Sequence, residues 1–338
     1  MIDKRLKLKV KTQETYNILF LIIMSFLLLT FFFQIPHLAE ASFLDIGMGP
    51  RALGMGNAFT GLADDATALY YNPAGLGQLK EKEAGFSYAS LYPGLDYPAN
   101  NASLGDAFLG YVHPVSDKIG TFGGMWINRH ASDIYAENSF IFSYARKMRE
   151  GVYFGANFKI LELSYARSRW SYVEPSSNWS QGNNDPVYAN GNSSAGVGLD
   201  VGLLIDITEK LKVGLCIKDF NQPDIHLKDS NPVPMTVKVG ANYEMGEYRI
   251  LADLTTRNYD YYINAGLEWW MVEYPLAIRG GFGFGSRRYS QVSMGASYLL
   301  TPMTGPFMYQ FDYAFFYPFG GLEGTIGSHR LGMTLRIR

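Results

Sequence analysis

Period-two alternation, repeated in segments of about ten residues along most of the chain, limits this sequence to very few folds. In GVGLDVGLLIDI (196–207), Val197, Leu199, Val201, Leu203, Ile205 and Ile207 share one face. Gly198, Asp200, Gly202 and Asp206 fall mainly on the other. In MTVKVGANYEM (235–245) the odd positions are apolar or aromatic and the even ones are Thr236, Lys238, Gly240, Asn242 and Glu244. The last segment sets Leu331, Met333, Leu335 and Ile337 against Arg330, Gly332, Thr334, Arg336 and Arg338.

A strand with one apolar face suits either a soluble sandwich, where that face is the core, or an outer-membrane barrel, where it meets lipid. Three features favour the barrel. The segments are long enough to cross a bilayer at a tilt. Aromatic residues gather near their ends (Tyr88, Tyr92, Tyr259, Tyr261, Trp269, Trp270, Phe315, Tyr317), as in interfacial girdles. The connections alternate between tight and long. The pattern predicts strands at 83–92, 104–114, 120–128, 138–147, 152–165, 193–207, 212–219, 232–245, 247–256, 260–271, 275–284, 290–300, 306–317 and 328–337. Their number, about fourteen, is even, as a single-chain barrel with both ends on one side requires. Long connections are expected at 93–103, 129–137, 166–192, 220–231 and 318–327. The stretch 168–192 is rich in Asn, Ser, Gly and aromatics and reads as a polar external loop or a ligand-capturing lid. Composition agrees: 24 Tyr, 22 Phe and 36 Gly with only 18% charged residues.

Residues 1–41 read as a secretory signal. Lys4, Arg5, Lys7, Lys9 and Lys11 precede the apolar run 18–35, and Ala39-Glu40-Ala41 resembles a cleavage site. An uncleaved anchor is the alternative, because the run is long enough to span a bilayer. Cys216 is the single cysteine, which excludes an internal disulfide and leaves no lipid-attachment cysteine at the cleavage site. The chain therefore divides into a signal (1–41), an N-terminal hatch or plug (42–82) and a transmembrane β-barrel (83–338). The end of the chain, Arg330–Ile337, has the polar-x-Gly-x-x-apolar-x-apolar form of a barrel-insertion signal, without a terminal Phe and with Arg338 added. It implies barrel-assembly machinery and outer-membrane lipid as partners, in a bacterial outer membrane.

Between signal and barrel, GMGPRALGMGNAFTGLADDATALYYNPAGLG carries dense glycines, two adjacent aspartates and an Asn-Pro. Gly47-x-Gly49 and Gly54-x-Gly56 lack the strand, helix and βαβ unit of a dinucleotide loop. Asp64 and Asp65 would not face each other on a helix. Asp65 reads more simply as the N-cap of ATALYY, which Asn72-Pro73 ends. His37, His113, His130, His226 and His329 are scattered without metal-ligand spacing, and no G-x-S-x-G elbow occurs. No catalytic residue, metal or cofactor is expected. The net charge of −2 gives no footing for nucleic acid. Charges of both signs on the polar faces (Lys159, Asp200, Lys212, Lys218, Lys238, Arg249, Asp253, Glu268, Arg279, Asp312) read as a salt-linked wall, or as a selectivity lining.

The stretch 43–79, FLDIGMGPRALGMGNAFTGLADDATALYYNPAGLGQL, resembles FadL-type outer-membrane proteins, and within them the PorV/PorQ-like branch. The order Arg51-Ala52, Gly54-Met55-Gly56, Ala63-Asp64-Asp65 and Asn72-Pro73-Ala74-Gly75-Leu76 carries the likeness. It implies a fourteen-stranded barrel with the N-terminal segment inside as a hatch, whose motif falls on Asp64, Asp65, Asn72, Pro73, Ala74 and Gly75. It further implies passage of hydrophobic small molecules such as long-chain fatty acids, with sideways exit through a kinked third strand at Gly120, Gly123 and Gly124. The PorV-like branch implies instead a part in protein secretion or surface attachment, and a purely structural barrel is a third reading. Phe43, Leu44, Leu53, Phe59, Leu62, Leu69, Tyr70, Tyr71 and Leu76 are candidates to contact a hydrophobic ligand, or simply to wedge the plug against the wall.

Overall fold

The computed structural model describes residues 42–95, 103–132, 134–165, 191–227, 230–320 and 324–338. The expected signal segment and nearly all of the 168–192 loop lie outside the described residues. The rest is a closed antiparallel barrel of fourteen strands, as the alternation implies. In chain order they are β1 (Lys82–Leu91), β2 (Leu104–Ser116), β3 (Gly120–Ala131), β4 (Tyr135–Arg149), β5 (Val152–Tyr165), β6 (Ser193–Asp206) and β7 (Leu211–Lys218). Then follow β8 (Thr236–Met245), β9 (Tyr248–Arg257), β10 (Asp260–Trp270), β11 (Leu276–Gly285), β12 (Ser290–Leu300), β13 (Phe307–Pro318) and β14 (Ser328–Ile337). Each strand pairs with its sequence neighbours, and β1 closes on β14 with Lys82 opposite Ile337. Closure pairs every strand on both sides, although β6 outruns β7, whose ladder with it ends at Val201 opposite Ile217.

One sequence expectation needs correction. The connection placed at 129–137 is mostly strand. Arg129 pairs across the β3–β4 ladder with Glu137, and their side chains meet at 3.3 Å, so charge inside the hairpin extends it to Ala131 and Tyr135. The third strand's ladder to β4 is unbroken past Gly123 and Gly124. Its register with β4 runs without a shift from Thr121 opposite Ala145 to Ala131 opposite Tyr135. Its register with β2 shifts only between Pro114 and Ser116. Gly123 has a use of its own: a Cβ there would stand 2.7 Å from Leu69 Cδ2, so the glycine admits a side chain from inside the barrel.

The two faces of the wall differ as the period requires. Outward positions such as Phe86, Leu109, Phe142, Phe282, Phe311 and Leu331 are large, apolar and exposed. Inward positions such as Asp106, Lys159, Asp200, Lys238, Asp253, Glu268 and Arg330 are polar yet buried. They are buried because residues 47–76 occupy the lumen, every one of them buried except Asp64. That internal segment has two short helices, α1 (Pro50–Gly54) and α2 (Ala68–Tyr71), and a 3₁₀ helix (Pro73–Gln78). It brings Met48, Phe59, Leu62, Leu69, Tyr71 and Leu76 into one apolar cluster with Phe108, Val112, Met125 and Ile127 of β2 and β3. Full burial of side chains of this size contributes about 1.5–3 kcal/mol each.

So little regular structure leaves the segment's backbone polar groups without internal partners, and wall side chains supply them. Asp253 accepts from the N–H groups of Phe59 and Thr60 at 3.0 and 2.9 Å. Glu83 accepts from Ala66 N–H at 2.9 Å, and the Asn157 amide donates to Leu69 O at 2.9 Å. Where backbone meets wall, the wall is glycine. A Cβ on Gly155 would lie 2.4 Å from Pro73 C, and one on Gly214 would lie 2.1 Å from Thr60 O. On Gly281 it would lie 2.1 Å from Gly56 N. The abundance of strand glycine therefore reflects close approach of a second backbone.

Candidate functional site

The two aspartates and the Asn-Pro anchor this segment to the wall. Arg51, on α1, uses all its donor directions. Nε and Nη2 make parallel bonds to Glu268 Oε1 and Oε2 at 2.9 and 3.0 Å. Nη1 reaches Asp64 Oδ1 at 2.5 Å and Asp65 Oδ2 at 2.9 Å. Glu268 on β10 also binds Arg249 of β9 and Arg279 of β11, each at 2.8 Å. Asp64 and Asp65 thus converge on one guanidinium, because they sit in a bend before α2 and not on a helix. Burial raises the Asp64 pKa, but Arg51 and Arg249 outweigh it and hold the carboxyl below its usual range. Asp65 makes the bonds of a cap on the turn that leads into α2, its carbonyl accepting from Ala68 N–H at 2.9 Å, while the position next to the helix itself is Thr67. Asp65 Oδ1 accepts from Thr67 N–H and Oγ1–H at 2.8 and 2.5 Å.

Asn72 ends α2 and its side chain caps the following 3₁₀ helix through Ala74 N–H at 3.1 Å. The same amide donates to Thr60 O and to Leu203 O on β6 at 3.0 and 3.1 Å. Pro73 starts the 3₁₀ helix, where its missing N–H costs nothing. Gly75 is required by contact, since a Cβ there would lie 2.1 Å from Ala63 O.

The segment 42–46 is held differently. Phe43 has φ 54°, and backbone donors and acceptors here meet side chains. Phe43 N–H donates to Glu137 Oε1 at 2.7 Å. Arg257 donates to Phe43 O at 3.1 Å, and Arg129 to Leu44 O at 2.8 Å. Asp45 lies between Lys218 (3.2 Å) and Lys238 (2.8 Å) and accepts from Tyr70 Oη–H at 2.5 Å. Burial pushes the Asp45 pKa up, yet the two ammonium groups hold it well below the ordinary carboxylate value.

Two cavities flank this strap. The smaller, about 50 Å³, is lined by Phe43, Asp45, Tyr70, Glu137, Lys159 and Lys218, a polar setting that suits a few waters. The larger, about 220 Å³, lies at the long-loop ends of β1, β9, β10, β12 and β13. Leu44, Ile46, Tyr92, Tyr262, Tyr289 and Phe316 give it an apolar body, Asn57, Thr255, Asn264 and Gln291 give it polar points, and Asp45, Lys238 and Arg257 line its charged side. Two edge-to-face aromatic pairs stand in it, Tyr92–Phe316 at 5.9 Å and Tyr262–Tyr289 at 5.1 Å. Tyr92, expected in the outer girdle, turns inward at the strand end with φ 49°.

Of the residues expected to contact a ligand, Leu44 lines both cavities and Phe43 and Tyr70 line the smaller. Leu53 packs against Phe316, Leu91 and Ala314 behind the larger one. Phe59, Leu62, Leu69, Tyr71 and Leu76 are core and line neither. The lining that sequence reasoning missed (Tyr262, Tyr289, Phe316, Asn264) had a signal. Tyr262 and Phe316 fall on the inward, polar parity of their strands, where an apolar ring is out of place, and Tyr289 stands in the turn just before β12.

No family model and no curated protein matches this sequence. Solved structures do match it in fold. The toluene transporter TbuX of Ralstonia pickettii superposes with a TM-score of 0.59 at 14% identity, over 86% of this chain and 98% of that one. The monoaromatic hydrocarbon channel CymD gives 0.60 at 14%, over 87% and 98%. A Pseudomonas aeruginosa FadL homologue gives 0.61 at 12%, over 88% and 99%. At these identities the likeness is one of fold.

Proposed function

We propose that this chain is an outer-membrane barrel through which small hydrophobic molecules enter, with residues 1–41 as its signal, 42–82 as its plug and 83–338 as its wall. The observation that carries this reading is the cavity of about 220 Å³ at the long-loop end, bounded by four aromatic rings and two aliphatic side chains. A cavity of roughly 150 Å³ already holds benzene, so this one has room for a substituted ring. It is short for a long acyl chain, which makes a compact ligand the better fit. The named activities of the structural neighbours, toluene transport and monoaromatic hydrocarbon passage, are of the same class. No residue is assigned a catalytic role. The test is uptake of labelled toluene and labelled palmitate by vesicles carrying the purified barrel. Saturable toluene entry above empty vesicles supports the reading, and rates equal to empty vesicles for both overturn it.

A second reading, a PorV/PorQ-like scaffold for secretion or surface attachment, is favoured by a different observation. The lumen below the cavity is packed and cross-linked by charge, and exposed apolar residues stand near the long-loop end, among them Phe220, Phe319 and Ile326. Native mass spectrometry of the purified barrel separates the two: a bound small molecule supports entry, and a stoichiometric protein partner supports the scaffold.

A further inference from the structure

The turn between β11 and β12 carries two arginines in positions that disfavour them. Tyr289 N–H donates to Ser286 O at 3.0 Å, which closes a two-residue hairpin turn on Arg287 and Arg288. Both stand in the left-handed region, with φ 53° and 61°. Such a turn suits Asn-Gly, because a Cβ meets the following carbonyl there. The surroundings hold it in place. Phe319 N–H donates to Ser290 O at 2.8 Å, and a Cβ on Gly320 would lie 1.9 Å from Arg288 O. Strain kept by its surroundings points to a use for the side chains beyond the turn itself. Both arginines are exposed. Arg287 Nε meets Asp260 Oδ2 at 2.7 Å, and Arg288 enters no ion pair among the described residues.

The wall is low at this point. On β11 the exposed outward column Ile278, Phe282 and Phe284 runs up to the turn, and Tyr261 and Phe319 beside it are exposed as well. Elsewhere the wall rises further. The row Trp126, Phe140, Ile160 across β3, β4 and β5 is followed, one step along each strand, by the polar row Asn128, Asn138, Glu162. At the β11–β12 turn apolar surface gives way to Arg287 and Arg288 with no such polar row between. Where this wall meets a bilayer, the two guanidinium groups stand at headgroup depth, and a phosphate there accepts two parallel N–H bonds from a guanidinium. Resting on the reading of the chain as an outer-membrane barrel with its long connections outside, we propose that this turn binds the phosphate of an outer-leaflet lipid. Arg288 supplies the uncompensated charge and Arg287 adds to it. The acyl chains lie against Phe282, Phe284 and Phe319.

Native mass spectrometry of the purified barrel in detergent, titrated with lipid A and with the same lipid stripped of both phosphates, tests this. Lipid A should bind about tenfold more tightly than the stripped form, the scale of one or two basic side chains near an anionic headgroup. The double variant Arg287→Asn, Arg288→Gly gives the backbone the residues that it prefers. Its thermal unfolding midpoint should rise while its affinity for lipid A falls about tenfold. Removing the same charge at the short-turn end, with Lys118→Ala and Lys210→Ala, both exposed, should leave the affinity unchanged. An unchanged affinity in the arginine variant overturns the proposal. A lower midpoint overturns it too, by showing that the arginines serve to hold the hairpin. Equal binding of the stripped lipid would show that acyl chains on aromatic rings suffice, and an equal loss in the lysine variant would show that net charge alone attracts the lipid. Displacement by equimolar inorganic phosphate overturns a lipid as the source of the phosphate. Each of these failures leaves uptake of small molecules standing, because the vesicle assay reads that separately.

Discussion

Two parts of the same internal segment are fixed in opposite ways. Residues 47–76 are fixed by shape: backbone lies on wall glycine, and any added Cβ at Gly155, Gly214 or Gly281 would stand 2.4 Å or less from it. Residues 42–46 are fixed by charge: Arg129 and Arg257 hold two carbonyls, and Lys218 and Lys238 hold Asp45. Shape tolerates no alternative position, whereas a charge contact can be exchanged for water or for another ion. The cavities lie beside the charge-held part, and the shape-held part forms the packed body of the lumen. Any movement that admits a ligand is therefore expected to begin at 42–46.

The largest effect should come from the place where the shape-held part depends most on charge. Arg51→Ala removes the partner shared by Asp64, Asp65 and Glu268. Stranding buried carboxylates in this way costs about 3–5 kcal/mol. Urea unfolding of the barrel in lipid vesicles, followed by tryptophan fluorescence, should show the loss. An unchanged midpoint would mean that Arg249 and Arg279 suffice and that shape alone fixes this part.

Next comes shape itself. Gly155→Val places a branched side chain where Pro73 and Ala74 already lie, and overpacking of this kind costs about 1–3 kcal/mol. Gly280→Val, on β11 where nothing lies within 4 Å of the added Cβ, separates crowding from the general effect of a larger residue. Equal destabilisation by the two variants would fail to support close packing of the internal segment.

The difference between the parts also explains what the sequence made legible. Strand number and sidedness follow from alternation, because one misplaced residue would turn a whole apolar face inward. The internal position of the polar faces follows from the same period. What could not be seen was which partner each polar side chain takes. Glu268 shares a face with Gly266 and Asn264, yet only folding shows that it lies between Arg249 and Arg279 and receives Arg51 from over two hundred residues away. Asp64 and Asp65 looked unable to cooperate because a helix was assumed for them; the bend that joins them on Arg51 comes from tertiary contact. A strand glycine such as Gly123 is ambiguous in sequence between flexibility and close approach, and the Leu69 side chain against it could be seen only in the fold.

A third effect, intermediate in size, depends on pH. The folded Asp45 titrates below its ordinary carboxylate range of about 4, so its contribution is complete above that range and is lost as pH falls through the depressed value. Protonation frees Lys218 and Lys238 from Asp45 and should release the strap before the packed body. Hydroxyl-radical footprinting read by mass spectrometry should show Phe43 labelling unchanged while pH falls through the ordinary carboxylate range and rising several-fold only well below it, while Phe59 and Tyr71 stay protected. A parallel rise at Phe59 would show that the two parts move as one.

The smallest effect lies at the other end of the internal segment. Lys80 meets Asp117 at 2.7 Å, a distance that on its own resembles the Lys238–Asp45 contact at 2.8 Å. The surroundings differ: the Lys80 and Asp117 side chains are 65% and 66% exposed, whereas Lys238 and Asp45 are 3% and 8% exposed. Water and salt screen the first pair and leave the second nearly unscreened. Lys80→Ala should therefore leave the unfolding midpoint in urea unchanged at physiological ionic strength. A shift as large as that of Gly155→Val would show that charge, not the approach of Pro73 to the β5 wall, fixes the lower end of the segment as it fixes the upper.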